Sequence, residues 1–178
     1  MKTTFFMLIL TAVLLTLGAG CGQRIGEGVT ERAIERGIEN ETGRDVNVDV
    51  SDGSVTIGEE GSDAQMMAGE SVSFPSDFPS DIPQYPNGTV TFVTHQTALA
   101  QHGYLMETVD AHDDIVTWFK ERTEGQAWAL KSTLTLEAST ILSFEKLKQE
   151  DTAVLTVTIT TDEDEQNKQN ILVSYGAR

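Results

Sequence analysis

Three histidines and two groups of acidic residues are the side chains whose types and spacing could do chemistry in this 178-residue chain. The densest group is Asp110-Ala111-His112-Asp113-Asp114, which offers the oxygen and nitrogen ligands of a divalent-metal site. Successive residues at the start of a helix point in different directions, so this segment cannot enclose an ion alone. A zinc site there requires His95 or His102 nearby as well. If neither His95 nor His102 lies nearby, we interpret the segment as the capped start of a helix with an exposed His112.

A second acidic group, Asp162-Glu163-Asp164-Glu165, could attract calcium through its carboxylate oxygens. It lacks the spaced acids and the turn glycine of a calcium-binding loop, and it lies between two strand patterns. We therefore interpret it as a solvated hairpin loop whose charges discourage the association of strand edges.

Motifs for nucleophilic or metal-dependent catalysis are missing from the sequence, which contains no GxSxG, HExxH, Walker-type phosphate loop or paired-cysteine motif. Threonines recur in strand patterns and predict a threonine-rich outer sheet face, which is either plain solvated surface or a source of hydroxyls for a glycan or partner protein. These are Thr89, Thr91, Thr133, Thr135, Thr156, Thr158 and Thr160. A threonine nucleophile needs a base beside it, and the sequence identifies none. We predict no catalytic residue, no metal ligand and no cofactor.

Cys21 is the only cysteine of the chain and follows a pattern typical of a signal peptide. Lys2 precedes thirteen mostly apolar residues from Phe5 to Leu17, and Gly18-Ala19-Gly20 leads directly to Cys21. A transmembrane helix needs about 20 apolar residues, so a single-pass anchor is the weaker alternative. The other alternative, an ordinary secretory peptide with an incidental cysteine, would leave a lone unpaired thiol in the exported chain.

Small residues directly followed by a cysteine resemble the lipobox of bacterial prolipoproteins. The resemblance implies that the Cys21 thiol is acylated, that residues 1–20 are removed as a signal peptide, and that lipid chains such as palmitate hold the mature protein on a membrane. One chain alone binds a membrane only marginally, and lipoprotein processing supplies two or three. If the host has two membranes, Gly22 lacks the aspartate of an inner-membrane retention signal, which favours the outer membrane.

The charge of the chain limits its partners. The formal net charge is −16, and it becomes −17 when residues 1–20 are removed, because they contain Lys2 and no acidic residue. So acidic a protein repels phosphate backbones and anionic lipid surfaces, which argues against nucleic acid and leaves membrane contact to the lipid on Cys21. Since the mature chain cannot form an internal disulfide, its fold must depend on hydrophobic packing.

Glycine-rich residues 21–28 suit a flexible tether, and residues 29–58 predict a helix followed by a β-hairpin. Apolar residues recur at helical spacing from Val29 to Asn40, which indicates either a helix packed on the next element or one that binds a partner or membrane surface. Alternating valines from Val46 then lead into Asp52-Gly53, a strong hairpin signal.

Residues 59–86 are acidic and then proline-rich, and we interpret them as a linker and arm. All four prolines lie between Phe74 and Pro86, where Phe-Pro-Ser-Asp occurs twice in tandem. Residues before proline avoid the helical region, so the arm should be extended. It is either a proline-rich ligand for an aromatic groove or a stiff arm that packs along the following domain.

Residues 87–178 predict an α+β domain in which one helix packs on an antiparallel sheet of about five strands, in the order ββαβββ. Alternation such as Leu155, Val157 and Ile159 with threonine indicates strands with one covered face. The helix should run from about Ala111 to Thr123, with Asp110 as its N-cap and the Trp118-Phe119 pair facing the sheet.

The proline-rich approach to a strand, the Trp118-Phe119 pair in the helix and Ala127-Trp128 before the next strand are similar to the terminal domain of many small uncharacterised bacterial lipoproteins. The similarity covers residues 74–176 and implies an architecture without a known activity. We predict a noncatalytic binding or accessory module of the cell envelope, whose partner is another envelope protein or a glycan. The alternatives are an envelope hydrolase that uses some of the carboxylates and a divalent-metal-binding protein.

Overall fold

The computed structural model describes residues 27–51, 53–148, 151–162, 165 and 167–177. Cys21, residues 1–20 and most of the expected tether lie outside the described residues. Two helices and nine strands are formed within them. They are α1 Glu27–Thr42, β1 Val46–Ser51, β2 Ser54–Glu59, β3 Gln65–Gly69, β4 Thr89–Gln96, β5 Gln101–Thr108, α2 His112–Glu124, β6 Ala129–Leu136, β7 Ser139–Lys148, β8 Asp151–Thr161 and β9 Gln169–Ala177.

All nine strands belong to one antiparallel sheet with the order β1-β2-β3-β4-β5-β9-β8-β7-β6. The first five strands follow one another along the chain. After β5, helix α2 carries the chain across one face to the far edge, where β6 begins. The chain then returns strand by strand until β9 pairs with β5.

The prediction of a separate five-stranded ββαβββ domain of the α+β class is therefore wrong, and the fold is essentially one β-sheet. Six strands rather than five surround α2, and the N-terminal hairpin continues the same sheet. Strand β3 makes this continuation, because it pairs with β2 on one side and β4 on the other. It lies in the expected linker, where Gln65–Gly69 shows no alternation of polar and apolar residues. The physical reason for the larger sheet is that a helix and hairpin alone bury too little apolar surface to be stable.

Helix α1 packs beside β1 and covers the edge of the sheet. The predicted β1–β2 hairpin is confirmed, with Val50 opposite Val55 and Gly53 at φ +76° in the turn. Along the outer side of β1, the amide of Val48 donates to Glu35 Oε1 and the amide of Val50 to Glu31 Oε1, each at 3.1 Å. Two carboxylates of α1 thereby occupy backbone donors that an edge strand otherwise presents to another chain.

The hydrophobic core lies between one face of the sheet and a layer formed by α2 and the proline-rich arm. Alternate residues of the central strands are buried on this face, as in Leu155, Val157 and Ile159 of β8. Ile115 and Phe119 of α2 are fully buried against them, whereas Trp118 is partly buried at the margin. We call this the covered face and the opposite one the open face.

The proline-rich arm folds back as turns rather than extending as expected. Each Phe-Pro-Ser-Asp repeat is followed by a residue whose amide closes a turn, Phe78 onto the carbonyl of Pro75 and Ile82 onto that of Pro79. Both residues are buried in the core. Two further bonds hold the arm, since Trp128 Nε1 donates to the carbonyl of Asp81 at 3.0 Å and the Tyr104 hydroxyl to that of Pro83 at 2.7 Å. The arm is thus a structural layer of the sheet.

A mostly apolar row of register partners crosses the open face from β4 to β6. It consists of Phe92, Leu105, Leu172, Thr158, Ile141 and Leu134. Leu172 in the interior strand β9 is 47% exposed, and Leu134 on the outermost strand is 52% exposed. The row therefore ends in an exposed leucine on β6.

Candidate functional site

The structure brings His95 and His102 together and places His112 elsewhere. His95 of β4 and His102 of β5 are register partners in one hairpin, with their Nδ1 atoms 3.0 Å apart. Both side chains point to the covered face and are buried. The zinc site that would have combined one of them with His112 is therefore not formed.

A carboxylate at the surface completes this histidine pair. Asp77 of the arm lies with Oδ2 3.1 Å from His95 Nε2, which also lies 3.1 Å from Thr97 Oγ1. An ionised carboxylate only accepts hydrogen bonds, so the His95 Nε2–H donates to Asp77, while one of the two facing Nδ1 atoms donates to the other. The bond from His95 holds the pKa of Asp77 below its usual value. Burial lowers the pKa of His102, and the neighbouring His95 lowers it further, against opposing contributions from Asp77, Asp81 and Asp63.

Aromatic rings close the histidine pair from solvent. Phe78 lies 5.9 Å from both imidazoles between ring centroids, and Tyr175 lies 5.6 Å from His102. Within the described residues, the pair is a buried polar contact among aromatic rings of the core. In the described part of the chain, no group of three or more His, Cys, Asp or Glu side chains is arranged to hold a metal ion.

The acidic segment around His112 is divided between two environments. His112 contacts Gln169 Oε1 through Nδ1 at 3.2 Å and Thr140 Oγ1 through Nε2 at 2.9 Å. Asp110 is not the helix N-cap, because Ala111 occupies that position without a side-chain cap. The Asp110 carboxylate instead accepts from the hydroxyl of Tyr85 at 2.5 Å. Burial, together with this carboxylate, raises the pKa of Tyr85 to about 12.

The second acidic segment is only partly described, because Glu163 and Asp164 lie outside the described residues. Its ends form a turn between β8 and β9, in which the amide of Glu165 donates to Asp162 Oδ1 at 3.1 Å. One of the carboxylate oxygens that could have bound calcium thus accepts a hydrogen bond from a backbone amide.

A wide cleft of about 890 Å³ opens near this turn, lined in part by Asn87, Glu107, Asp110 and Lys168. Two of its charged groups engage each other, since Lys168 Nζ lies 2.8 Å from Glu107 Oε2. The same hydrogen bond raises the pKa of Lys168. Asp110 accepts from Asn87 Nδ2 at 3.1 Å as well as from the tyrosine of the arm. Four of the lining residues therefore engage one another in pairs, Lys168 with Glu107 and Asp110 with Asn87.

The expected threonine-rich face is split between the two faces of the sheet. Thr156 and Thr158 of β8 lie on the open face, opposite Ser143 and Ile141 of β7. Thr133 and Thr135 of β6 lie on the other side, because their partners Leu142 and Thr140 are buried on the covered face. These four threonines therefore do not form one continuous surface.

Strand β6 is the outer strand at the second edge of the sheet, and all eight of its residues are exposed. Helix α2 does not reach over this strand completely. It leaves a groove of about 340 Å³ whose walls include Val116 and Lys120 of α2 and Thr133 and Thr135 of β6. We call this the α2–β6 groove. An edge strand beside a helix is the arrangement that accepts an extended peptide as an added strand.

The sequence contains only weak signals for the exposed edge strand β6 and for the His95–His102 pair. Alternation around Leu134 marks β6 as a strand, but it does not tell an edge strand from an interior one. The pairing of His95 with His102 follows from the register of the β4–β5 hairpin, whose four-residue connection 97–100 has no Asn-Gly or Asp-Gly turn to specify it.

Neither described helix is long and apolar enough to cross a membrane. No protein-family model, curated protein or solved structure matches the chain.

Proposed function

We propose that this protein is a lipid-anchored bacterial envelope lipoprotein that acts as a noncatalytic binding module. In this proposal Cys21 carries the lipid, residues 1–20 are removed, and the sheet projects from the membrane on a short tether. The single cysteine and the short apolar run before it support the anchor. In a host with two membranes, the outer membrane is the favoured location.

The exposed edge of β6 is the observation that carries the binding function. The two edges of the sheet differ. Carboxylates of α1 accept hydrogen bonds from the backbone of β1, whereas β6 is exposed along its length. Lys131 and a register shift between Leu130 and Ser132 protect the start of the strand, whereas Ser132 to Leu136 contains no charged residue and no proline. The α2–β6 groove beside it offers room for side chains of an added strand. We infer that the partner binds as a strand along β6.

The anchor is tested by replacing Cys21 with serine in the full chain. We expect loss of palmitate labelling, accumulation of the uncleaved precursor and release from the membrane fraction. Continued incorporation of labelled palmitate into the Cys21→Ser chain would refute the anchor.

The binding edge is tested by site-specific photocrosslinking in the native envelope. A crosslinker at Thr133 should yield discrete adducts, whereas one at the exposed Arg32 of α1 should not. Thr135→Pro removes a backbone donor from the edge and should abolish the adducts, while Thr135→Val keeps the donor and should retain them. Equal adducts from both variants would contradict strand addition at β6.

A further inference from the structure

We propose that residues 74–80 of the proline-rich arm form a flap that acid releases from the buried histidine pair, while the sheet stays folded. The flap contains the first Phe-Pro-Ser-Asp repeat and the phenylalanine that follows it, Phe78. This inference goes beyond the proposed function. It depends neither on the lipid anchor nor on the edge of β6, because the groups involved lie at the covered face of the sheet.

The chain is fixed to the sheet on both sides of the flap. Before it, the amide of Val72 donates to the carbonyl of Val90 at 2.8 Å, which ties the chain to β4. After it, Ile82 is 1% exposed in the core, and Trp128 Nε1 donates to the carbonyl of Asp81 at 3.0 Å. A segment held at both ends can lift without pulling these neighbours out of place. Release of the flap is therefore a local opening.

The flap covers the histidine pair. The Phe78 ring lies 5.9 Å from each imidazole between ring centroids, and Asp77 Oδ2 lies 3.1 Å from His95 Nε2. The turn of the flap is closed by the bond from the Phe78 amide to the carbonyl of Pro75 at 3.0 Å. Lifting the flap breaks this bond and removes the aromatic cover from both imidazoles, which then come into contact with water.

With the flap closed, the buried pair resists full protonation. The two facing Nδ1 atoms lie 3.0 Å apart, and their contact has room for one proton. If both rings were charged, two N–H groups would point at each other and two positive charges would be buried side by side. Burial, and then the neighbouring His95, lower the pKa of His102 from 6.5. With the flap open, both rings reach water and take up protons as exposed histidines do.

Other titratable groups near the pair come from the arm, from the β2–β3 connection and from neighbouring strands. They are Asp63, Asp77, Asp81, Tyr104, Lys146 and Tyr175. The three aspartates raise the pKa of His102, yet its net shift is downward. Asp77 is 68% exposed to water, and Asp81 Oδ2 lies 3.7 Å from Lys146 Nζ, so solvent and a counter-charge weaken both contributions. The two phenols stay neutral in acid.

Acid therefore favours the open flap. Because the pKa of His102 is lower when the flap is closed, the open form binds the proton first as the pH falls below 6.5. For each proton taken up on opening, the ratio of open to closed chains rises about tenfold per pH unit, until the closed form is protonated too. Phe74 and Phe78 leave the core together, so acid converts a buried aromatic cluster into exposed apolar surface.

Hydrogen exchange of the full chain in low concentrations of urea measures the release. The amide of Phe78 reports on the flap, and that of Val157 in the interior strand β8 reports on unfolding of the sheet. After correction for intrinsic exchange, the Phe78 amide should lose protection by about tenfold or more between pH 7.5 and pH 5. Its exchange should be faster than that of Val157 and independent of urea, because a local opening exposes little surface. A Phe78 amide that ignores pH, or that follows Val157 in rate and urea dependence, would overturn the proposal.

Two histidine variants identify the group that titrates. His102→Gln cannot be protonated and should reduce the acid response of the Phe78 amide. His112→Gln is the matched control, since that histidine contacts Thr140 and Gln169 away from the flap, and it should leave the response unchanged. The opposite pattern would overturn the assignment to the histidine pair. The measurement on the unsubstituted chain remains decisive if His102→Gln does not fold.

Asp77→Asn separates the charge of the flap from its hydrogen bond. The amide oxygen can still accept from His95 Nε2–H, but the negative charge that favours protonation of the closed pair is lost. We expect release to begin at a higher pH than in the unsubstituted chain. A purely structural role of Asp77 would instead raise exchange of the Phe78 amide by the same factor at every pH, and that result would overturn the acid-release mechanism.

Discussion

His102 Nδ1 lies 3.0 Å from Nδ1 of His95, and only one of these two nitrogens can carry the proton between them. Asp77 accepts from Nε2 of His95, and the contact between the two Nδ1 atoms is satisfied when one of them donates and the other accepts. Protonation of both facing nitrogens would direct two N–H groups at each other. The proline-rich arm supplies Asp77 and Phe78, which pack directly on this histidine pair. The stability of the protein should therefore depend on pH.

Acidification should destabilise the protein through His102. Its pKa in the folded chain is lowered from 6.5, so the unfolded chain binds the proton first. This contribution to stability is complete above pH 6.5 and is lost as the pH falls below that value towards the lowered pKa. Urea unfolding between pH 7.5 and pH 5 measures the loss. His102→Gln keeps a side-chain donor but cannot titrate, and it should flatten the profile; an unchanged slope would contradict the assignment.

Ile82→Ala should destabilise the whole fold and not just the proline-rich arm. Ile82 is 1% exposed within the core, so its truncation leaves a cavity and should cost about 2–5 kcal/mol. Ser80→Ala, at an exposed position of the same arm, should change the free energy of unfolding by less than about 0.5 kcal/mol. Thermal unfolding followed by tryptophan fluorescence compares the two. Equal melting temperatures would mean that the arm does not belong to the cooperative unit.

Glu35→Ala should expose the edge at β1. The Glu35 carboxylate accepts the bond from the Val48 amide, and its loss should cost about 0.5–1.5 kcal/mol locally. Hydrogen exchange at that amide should accelerate, while amides in β8 keep their protection. Glu41→Ala, at an exposed position near the end of the same helix, is the control. Unchanged exchange at Val48 would show that the edge is protected by something other than this carboxylate.

Ala127→Gly should stabilise the protein. Ala127 has φ +63°, a left-handed conformation that costs an L-residue roughly 1–2 kcal/mol. Glycine relieves this cost but gives the unfolded chain more freedom, so the net gain should be about 0.5 kcal/mol. Ala129→Gly, two residues later in β6, has no such strain to relieve and should lower the melting temperature. A lower melting temperature for Ala127→Gly would contradict the role of backbone strain before Trp128.

The elements predicted best are those specified by neighbours in sequence. The β1–β2 hairpin follows from alternating valines and Asp52-Gly53, and α2 from the helical spacing of Ile115 and Phe119. These patterns depend on interactions between residues that are close in sequence. Such interactions can form wherever the segment lies in the fold. The tandem Phe-Pro-Ser-Asp repeat was a clear local signal as well. Its conformation as two turns, however, depends on the buried sites that receive Phe78 and Ile82.

Tertiary structure alone decided which strands share a sheet and which are left at its edges. Strand β3 has no pattern of its own and exists because β2 and β4 supply hydrogen-bond partners on both sides. The meeting of His95, His102 and Asp77 depends on a hairpin register and on an arm folded back over it. Leu134 alternates like any strand residue, and only the order of the sheet makes β6 an exposed edge. Composition alone determines that the chain is acidic, and the residues around Cys21 are the basis of the proposed anchor, because charge and local motifs need no fold. Pairing between distant strands is set by the burial of the whole sheet, which no local pattern contains.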